Sequence, residues 1–322
     1  MTALPNSHIV LQSAALHFLV DSLCLCCLYL MAGGTGGVNL SALFLTYNVL
    51  AFVTQPFSGM LVDGTGKHQW PLLASAVLLS LSAVTASALA LNGSPPAGLY
   101  AVAVMLGMGN SLFHTWGGRT VASTTANDTR ALGIFVATGA VGLAVGIVAC
   151  SWMLLAILLA VMAVLTHSAL QLAPQVQATS SVESPARPAA DVSWQWLILP
   201  ALMLYVTLRS LMGETLGSHL VKTPCLMLAL AATAAAGKVL GGWMARYGRK
   251  WVLLLTATAG ATACLLLHPG GMPIVLAGIF LINSTMPVTL YWANASLPDH
   301  EGLAFGLLAA ALVPGYLLAN II

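Results

Sequence analysis

His17 and Asp21 stand four residues apart inside a long apolar run. On a helix that spacing puts them on one face. A carboxylate beside an imidazole, both shielded from water, can take up and release a proton. In a helix that begins near residue 8, Asp21 lies about 20 Å along the axis. A charge at the centre of a bilayer costs roughly 2.5–3.5 kcal/mol on insertion scales, so such residues are kept for function or are paired. Arg209, about 22 Å into a run that begins near residue 194 by the same rise, is the natural counter-charge. We expect it to pair with Asp21 or to hold an anionic group of a substrate. His114 offers a substrate contact or a second proton relay, against the plainer reading of a structural histidine. Arg119 falls near a helix end, where snorkelling accounts for it equally well. Glu214 lies toward the other end of its run, and Lys238 is expected to reach the interface on its long stem. Asn48 and Gln55 are seven apart and share a face; Asn283, Tyr291, Trp292 and Asn294 add polar positions further on.

The elements that position these residues follow from composition. Of the 322 residues, 59% are hydrophobic and 6% charged, against roughly 25% charged in a soluble domain. With a mean hydropathy of +0.94, nearly the whole chain belongs in a lipid bilayer. Runs near the 20 residues that a bilayer core requires fall at 8–32, 40–62, 70–91, 97–118, 131–150, 152–171, 194–214, 222–244, 250–267, 272–295 and 302–322. Residues 172–193 carry Gln, Ser, Pro, Glu183, Arg187 and Asp191 and read as a polar linker. The predicted organisation is therefore a six-helix half (1–171), a linker (172–193) and a five-helix half (194–322). Lys67, Arg119, Arg130, Arg187, Arg246, Arg249 and Lys250 all fall at one set of alternating ends, Lys222 being the exception. The excess of basic residues places the N-terminus and linker in the cytoplasm. The N-terminus lacks a basic region and cleavage signal, so the first run reads as a retained helix.

Other chemistries find little support. The cysteines at 24, 26, 27, 150, 225 and 264 form no CxxC pair and have no histidine at ligand spacing beside them, so no metal site is expected. Small apolar packing is the commoner role for such residues. Neither GxxxxGK[ST] nor a dinucleotide fingerprint occurs, so no cofactor and no ATP coupling is expected. HExxH and GxSxG are absent as well, which argues against an intramembrane enzyme. The dispersed charges predict no nucleic-acid partner. Gly133, Gly139, Gly142 and Gly146 read as positions of close helix packing.

A repeat ties the two halves together. Gly59-Met60-Leu61-Val62-Asp63-Gly64-Thr65-Gly66-Lys67 and Gly241-Gly242-Trp243-Met244-Ala245-Arg246-Tyr247-Gly248-Arg249-Lys250 place glycines at an offset of 182 (241 − 59). Both copies resemble the signature loop of the major facilitator superfamily, Gly-x-Leu-Ala-Asp-Arg-x-Gly-Arg-Lys. The first copy keeps the acid as Asp63 but has Gly64 at the arginine position. The second keeps Arg246, Gly248, Arg249 and Lys250 but has Ala245 at the acidic one. Ser111-Leu112-Phe113-His114, then Gly118-Arg119-Thr120-Val121-Ala122 and Arg130, together with His17, Asp21 and Arg209-Ser210, look like the fosmidomycin-resistance branch of that superfamily. The resemblance implies an all-α membrane protein with two pseudo-symmetric halves, whose first, fourth, seventh and tenth helices line a central cavity. It further implies proton-driven export of a small organic compound across the cytoplasmic membrane, by a monomer whose partners are the lipid bilayer, the solute and protons. The offset of 182 maps residue 322 onto 140, and aligning Asp299 with Asp128 maps it onto 151, so the counterpart of the sixth helix is missing. That departure leaves a non-transporting sensor or partner-binding protein as the alternative.

Overall fold

The computed structural model describes residues 4–33, 40–65, 69–92, 95–179, 192–218, 220–267 and 271–320, and every regular element among them is helical. The expected eleven spans are present as fourteen helices, because three spans are broken. The first half comprises α1 (Ser7–Gly33), α2 (Leu40–Asn48), a π turn (Val49–Val53), α3 (Gln55–Gly64), α4 (Trp70–Asn92), α5 (Pro96–Thr124), α6 (Thr129–Val148) and α7 (Trp152–Thr179). The second comprises α8 (Val192–Gly217), α9 (Pro224–Tyr247), α10 (Lys250–Leu266), α11 (Met272–Ser284), α12 (Met286–Ser296), α13 (Glu301–Ala310) and α14 (Leu312–Ala319).

Each break precedes a proline. Pro56, Pro287 and Pro314 lack the N–H that would bond the carbonyl four residues earlier, so the ladder opens one turn before each of them. The second span widens into the π turn, and the other two divide at Thr285 and Ala311. Such breaks persist in lipid only where protein groups satisfy the freed backbone. Nine helical spans among the described residues, with α11–α12 and α13–α14 each taken as one, have the length and apolarity to cross a bilayer, and Lys250–Leu266 is shorter but apolar. The helices on either side extend into the expected linker bounds. Residues from 172 continue α7 to Thr179, α8 starts at Val192, and residues 180–191, including Glu183, Arg187 and Asp191, lie outside the described residues.

In the first half, α1 is wrapped by α4, α5, α6 and α7. It is hydrophobic all round, as a central helix must be, and this is why its polar residues are buried. The halves meet where α6 lies against α9 and α12, and where α3 and α5 lie against α13. These are seams of close backbone approach. A Cβ at Gly59 would overlap the Gly302 and Leu303 backbone, and one at Gly242 would overlap the Thr129 and Arg130 backbone. Each repeat loop thus sets a glycine at a seam between the halves, although Gly242 is one residue past the position that matches Gly59.

Candidate functional site

Two i,i+4 pairs on neighbouring helices face each other. α1 supplies His17 and Asp21, and α5 supplies Asn110 and His114; all four are buried. The imidazole Nε2 atoms of His17 and His114 are 2.9 Å apart. Asp21 brings Oδ2 to 3.3 Å from His17 Nε2 and Oδ1 to 3.6 Å from His114 Nε2. The Asn110 amide donates to Asp21 Oδ1 at 3.1 Å and also contacts Cys24 Sγ at 3.8 Å. Aromatic rings close the sides. Phe135 packs on His17 with centroids 4.6 Å apart, Phe113 touches both histidines, and Phe305 reaches His114 from the second half.

The hydrogen bonds indicate the tautomers. His17 Nδ1 meets the Phe135 carbonyl at 2.8 Å, and His114 Nδ1 meets the Asn110 carbonyl at 2.9 Å. A carbonyl can only accept, so each Nδ1 carries its proton. In neutral rings both Nε2 atoms would then present lone pairs to each other across 2.9 Å. One additional proton between them turns that repulsion into a charge-assisted hydrogen bond. The Asp21 carboxylate would balance the charge of such a proton.

The second half contributes Arg209, but not as expected. Among the described residues Arg209 makes no ion pair; its guanidinium donates to Thr289 Oγ1 at 3.4 Å from a buried position. The expected Asp21–Arg209 pair is absent because Asp21 is already engaged by His17, His114 and Asn110 on its own side of the seam. Lys238 also differs from expectation. Gly133 packs against the Lys238 backbone oxygen, so α6 and α9 nearly touch there. The lysine stem therefore crosses to α6 and donates to the Val136 carbonyl at 3.1 Å instead of running to the interface. Arg209 and Lys238 are close enough to influence each other, and Lys238 also feels Asp21. Asn48 is half-buried where α2 enters the π turn, and Glu214 is exposed near the end of α8; neither joins the cluster.

A second group of polar contacts fastens the halves at the end bearing the basic loops. Asp63 accepts the backbone N–H groups of Gly302 (2.9 Å) and Leu303 (2.8 Å), capping the start of α13. Arg119 Nε lies 3.3 Å from the same carboxylate, and its Nη1 donates to the Val62 carbonyl at 3.2 Å. This makes Arg119 part of the fastening. At the other seam, Asp128 caps α6 through the Arg130 N–H, pairs with the Arg130 guanidinium at 2.7 Å, and meets Arg246 at 3.5 Å. Burial pushes the Asp128 carboxyl up, but the hydrogen bonds and charge of Arg130 and then Arg246 outweigh it and hold it below the usual carboxylate range. Asn127 donates to the Tyr291 carbonyl and receives the Asn294 amide, both at 2.9 Å.

The remaining loop residues have smaller parts. Lys250 Nζ lies over the Tyr291 ring, 4.3 Å from its centroid. Gly248 ends α9 by donating to Met244, Arg249 precedes α10, and Gly241 rests against Ser284. Gly66 and Lys67 lie outside the described residues.

No protein-family model matches the chain, and no curated protein matches it in sequence. Solved structures do match. A variant of the E. coli fucose:proton symporter FucP aligns with a TM-score of 0.65 at 13% identity, over 97% of this chain and 90% of that one. FucP in the outward conformation, described as a major facilitator superfamily transporter, aligns at 0.57 and 14% over the same shares. The chain has the major facilitator fold. Within the facilitator architecture, Asn110, Phe135, Phe305, Thr289 and Asp128 are site or fastening residues that sequence reasoning missed. Asn110 had a visible signal, four residues before His114 inside an apolar run. Phe135 acts through its backbone carbonyl and Phe305 arrives from another helix pair, so neither had one.

Proposed function

We propose that the chain is a proton-coupled secondary transporter, resembling the fosmidomycin-resistance branch, that exports a small organic solute from the cytoplasm by alternating access. The observation that carries this reading is the 2.9 Å Nε2–Nε2 contact between His17 and His114 beside Asp21. It is a buried device whose packing depends on one proton. Losing that proton leaves two facing lone pairs and an unbalanced carboxylate, at a cost far above that of the protonated cluster. Separation of α1 from α5, or hydration through a parting of the halves, relieves the cost. Proton release and conformational change are thereby tied together. Cys24, Tyr47 and Lys238 are the other ionisable groups near Asp21.

Arg209, buried, and Lys238, half-buried, are two cations of the second half with no carboxylate partner among the described residues within 4.0 Å. Buried cations attract an anionic group, so the solute class we favour carries a carboxylate, phosphate or phosphonate. The fastening at the basic-loop end closes the side that the positive-inside rule assigns to the cytoplasm, with the N-terminus and linker on that side. The chain acts as a monomer in the cytoplasmic membrane. FucP is by its name a symporter, whereas export with a proton gradient requires antiport.

The test is solute-dependent proton movement in proteoliposomes holding the purified chain, with a pH-sensitive dye inside. Expected are acidification of the lumen on opposed solute flux, and its loss in His114→Ala and Asp21→Asn. Retained solute binding without any coupled flux in the wild type would instead establish a sensor.

A further inference from the structure

We propose that His17, Asp21 and His114 form a binding site for one divalent transition-metal ion of the zinc class. The inference uses the residues of the proposed proton site but stands on their donor geometry, and it does not require that the chain transport anything.

Three independent features point to an ion. The first is the donor set. Two imidazole nitrogens and one carboxylate are the ligand types that zinc and its neighbours prefer, and catalytic-type sites use three such protein ligands with one position open. Calcium and magnesium want six or more oxygens and are poorly served here. The second is spacing. A tetrahedral ion with bonds of about 2.0–2.1 Å separates its ligand atoms by about 3.3 Å. The two imidazole nitrogens are 2.9 Å apart, the carboxylate brings Oδ2 to 3.3 Å from one and Oδ1 to 3.6 Å from the other, and one ligand atom from each residue lies within 4.8 Å of the other two, so small side-chain shifts reach that value. The third is orientation. Metal-binding histidines nearly always donate their other ring N–H to a carbonyl or carboxylate, which aims the free nitrogen at the ion. His17 does so to Phe135 and His114 to Asn110.

The surroundings agree. A side chain at Gly139 would stand against His17 Nε2 and Asp21 Oδ2, so this glycine keeps the ligand edge clear. Asn110 Oδ1 is buried without a hydrogen-bond partner, and its amide nitrogen is committed to Asp21. That leaves an acceptor beside the cluster for a water on the ion's open position. Lys238 is held on the Val136 carbonyl, and Cys24 lies against the Asn110 amide. When the ion binds, it takes the place of the proton shared by the two rings, which leaves to solvent. Proton and metal therefore compete for one position. Entry requires Phe305 and the second half to move aside.

The experiment uses the full chain purified in detergent, stripped with chelator and titrated with zinc by calorimetry and with cobalt by visible absorption. Expected are one ion per chain and the intense ligand-field bands of tetrahedral cobalt. His114→Ala, and independently Gly139→Ala, should weaken binding about a hundredfold or more, judged against the 10–100-fold that loss of even a supporting hydrogen bond costs. A chain with all six cysteines replaced by alanine should bind as the wild type does. X-ray absorption at the zinc edge of the wild type, which needs no variant to fold, should show imidazole and oxygen scatterers at about 2.0–2.2 Å and no sulfur shell. No stoichiometric ion, a sulfur shell, or binding unchanged in His114→Ala would each overturn the proposal. Absent metal binding with intact coupled flux refutes this inference alone, and metal binding without flux refutes the transport reading alone.

Discussion

Asp63→Asn should release the fastening at the basic-loop end without altering side-chain shape. The carboxylate spends one oxygen on the Gly302 N–H and the other on the Leu303 N–H, at 2.9 and 2.8 Å, and its side chain is 3% exposed. Asparagine keeps one acceptor and turns an NH2 group toward the second N–H. One hydrogen bond to a charged group is lost, worth about 1.5–3 kcal/mol. The favourable charge at the α13 N-terminus goes with it, worth about 0.3–1 kcal/mol. Together they favour opening by about 2–4 kcal/mol, or about 30- to 1,000-fold at tenfold per 1.4 kcal/mol. Hydrogen exchange read by mass spectrometry on peptides spanning 299–306 reports this opening directly, since the amides of Gly302 and Leu303 are the groups that Asp63 protects. Arg119→Ala should change the same signal much less, because the Arg119 side chain is 22% exposed and partly exposed pairs contribute about 0–1 kcal/mol. Exchange at these amides within twofold of wild type in Asp63→Asn would refute the capping argument.

Asp128→Asn should lower the melting temperature at neutral pH, and the gap to wild type should close in acid. The folded-state pKa of Asp128 lies below its unfolded value. Its contribution is therefore complete above the unfolded carboxylate pKa of about 3.9 and disappears as pH falls through the lower folded value. Thermal melts in detergent between neutral pH and about pH 3 check the sign; a gap that widens in acid would contradict it. Gly142→Ala should destabilise by about 1–3 kcal/mol, because the new methyl meets the Phe18 backbone, which cannot yield as a side chain could. Gly213→Ala has open space and should instead stabilise by about 0.5–1 kcal/mol, so the two melts should move in opposite directions. Asn110→Leu removes the amide that holds Asp21; coupled proton flux should fall at least tenfold while chromatographic behaviour stays that of the wild type.

How much of this was legible in the sequence depends on which physical signal each feature leaves. The spans were legible because a run of about 20 apolar residues has few alternatives. The breaks before Pro56, Pro287 and Pro314 were legible in principle for the same local reason, the missing N–H. His17 with Asp21 was readable from spacing on one helix. What the sequence did not carry was facing. In helices that are apolar all round, periodicity does not say which side meets which neighbour, so Arg209 was matched to Asp21 by depth alone. The repeat loop leaves a different gap. The second copy has Ala245 at the acidic position, and Asp128 supplies that charge to Arg246 from the loop before α6. An offset between two loops cannot reveal a replacement that comes from a third.

The placement of α6 explains how the buried cluster could act on the distant seams. Its outer glycines, Gly142 and Gly146, lie on the α1 backbone at Phe18 and Ser22. Its beginning is fixed to α9 through Thr129, which donates to the Gly242 carbonyl at 2.8 Å, and through Asp128 with Arg246. Between these anchors two consecutive carbonyls look in two directions. Phe135 takes the His17 ring and Val136 takes the Lys238 ammonium. A change in the charge of the histidine pair alters the strength of the first bond, and the adjoining peptide carries the second. A shift of α1 relative to α6 therefore strains a contact between the halves without any intervening side chain. The short path makes a specific demand. Replacing Lys238 by Met, which keeps the stem and removes the ammonium, should uncouple proton movement from opening of the 299–306 amides. Replacing Arg209, which has no such bond to α6, should leave that coupling in place.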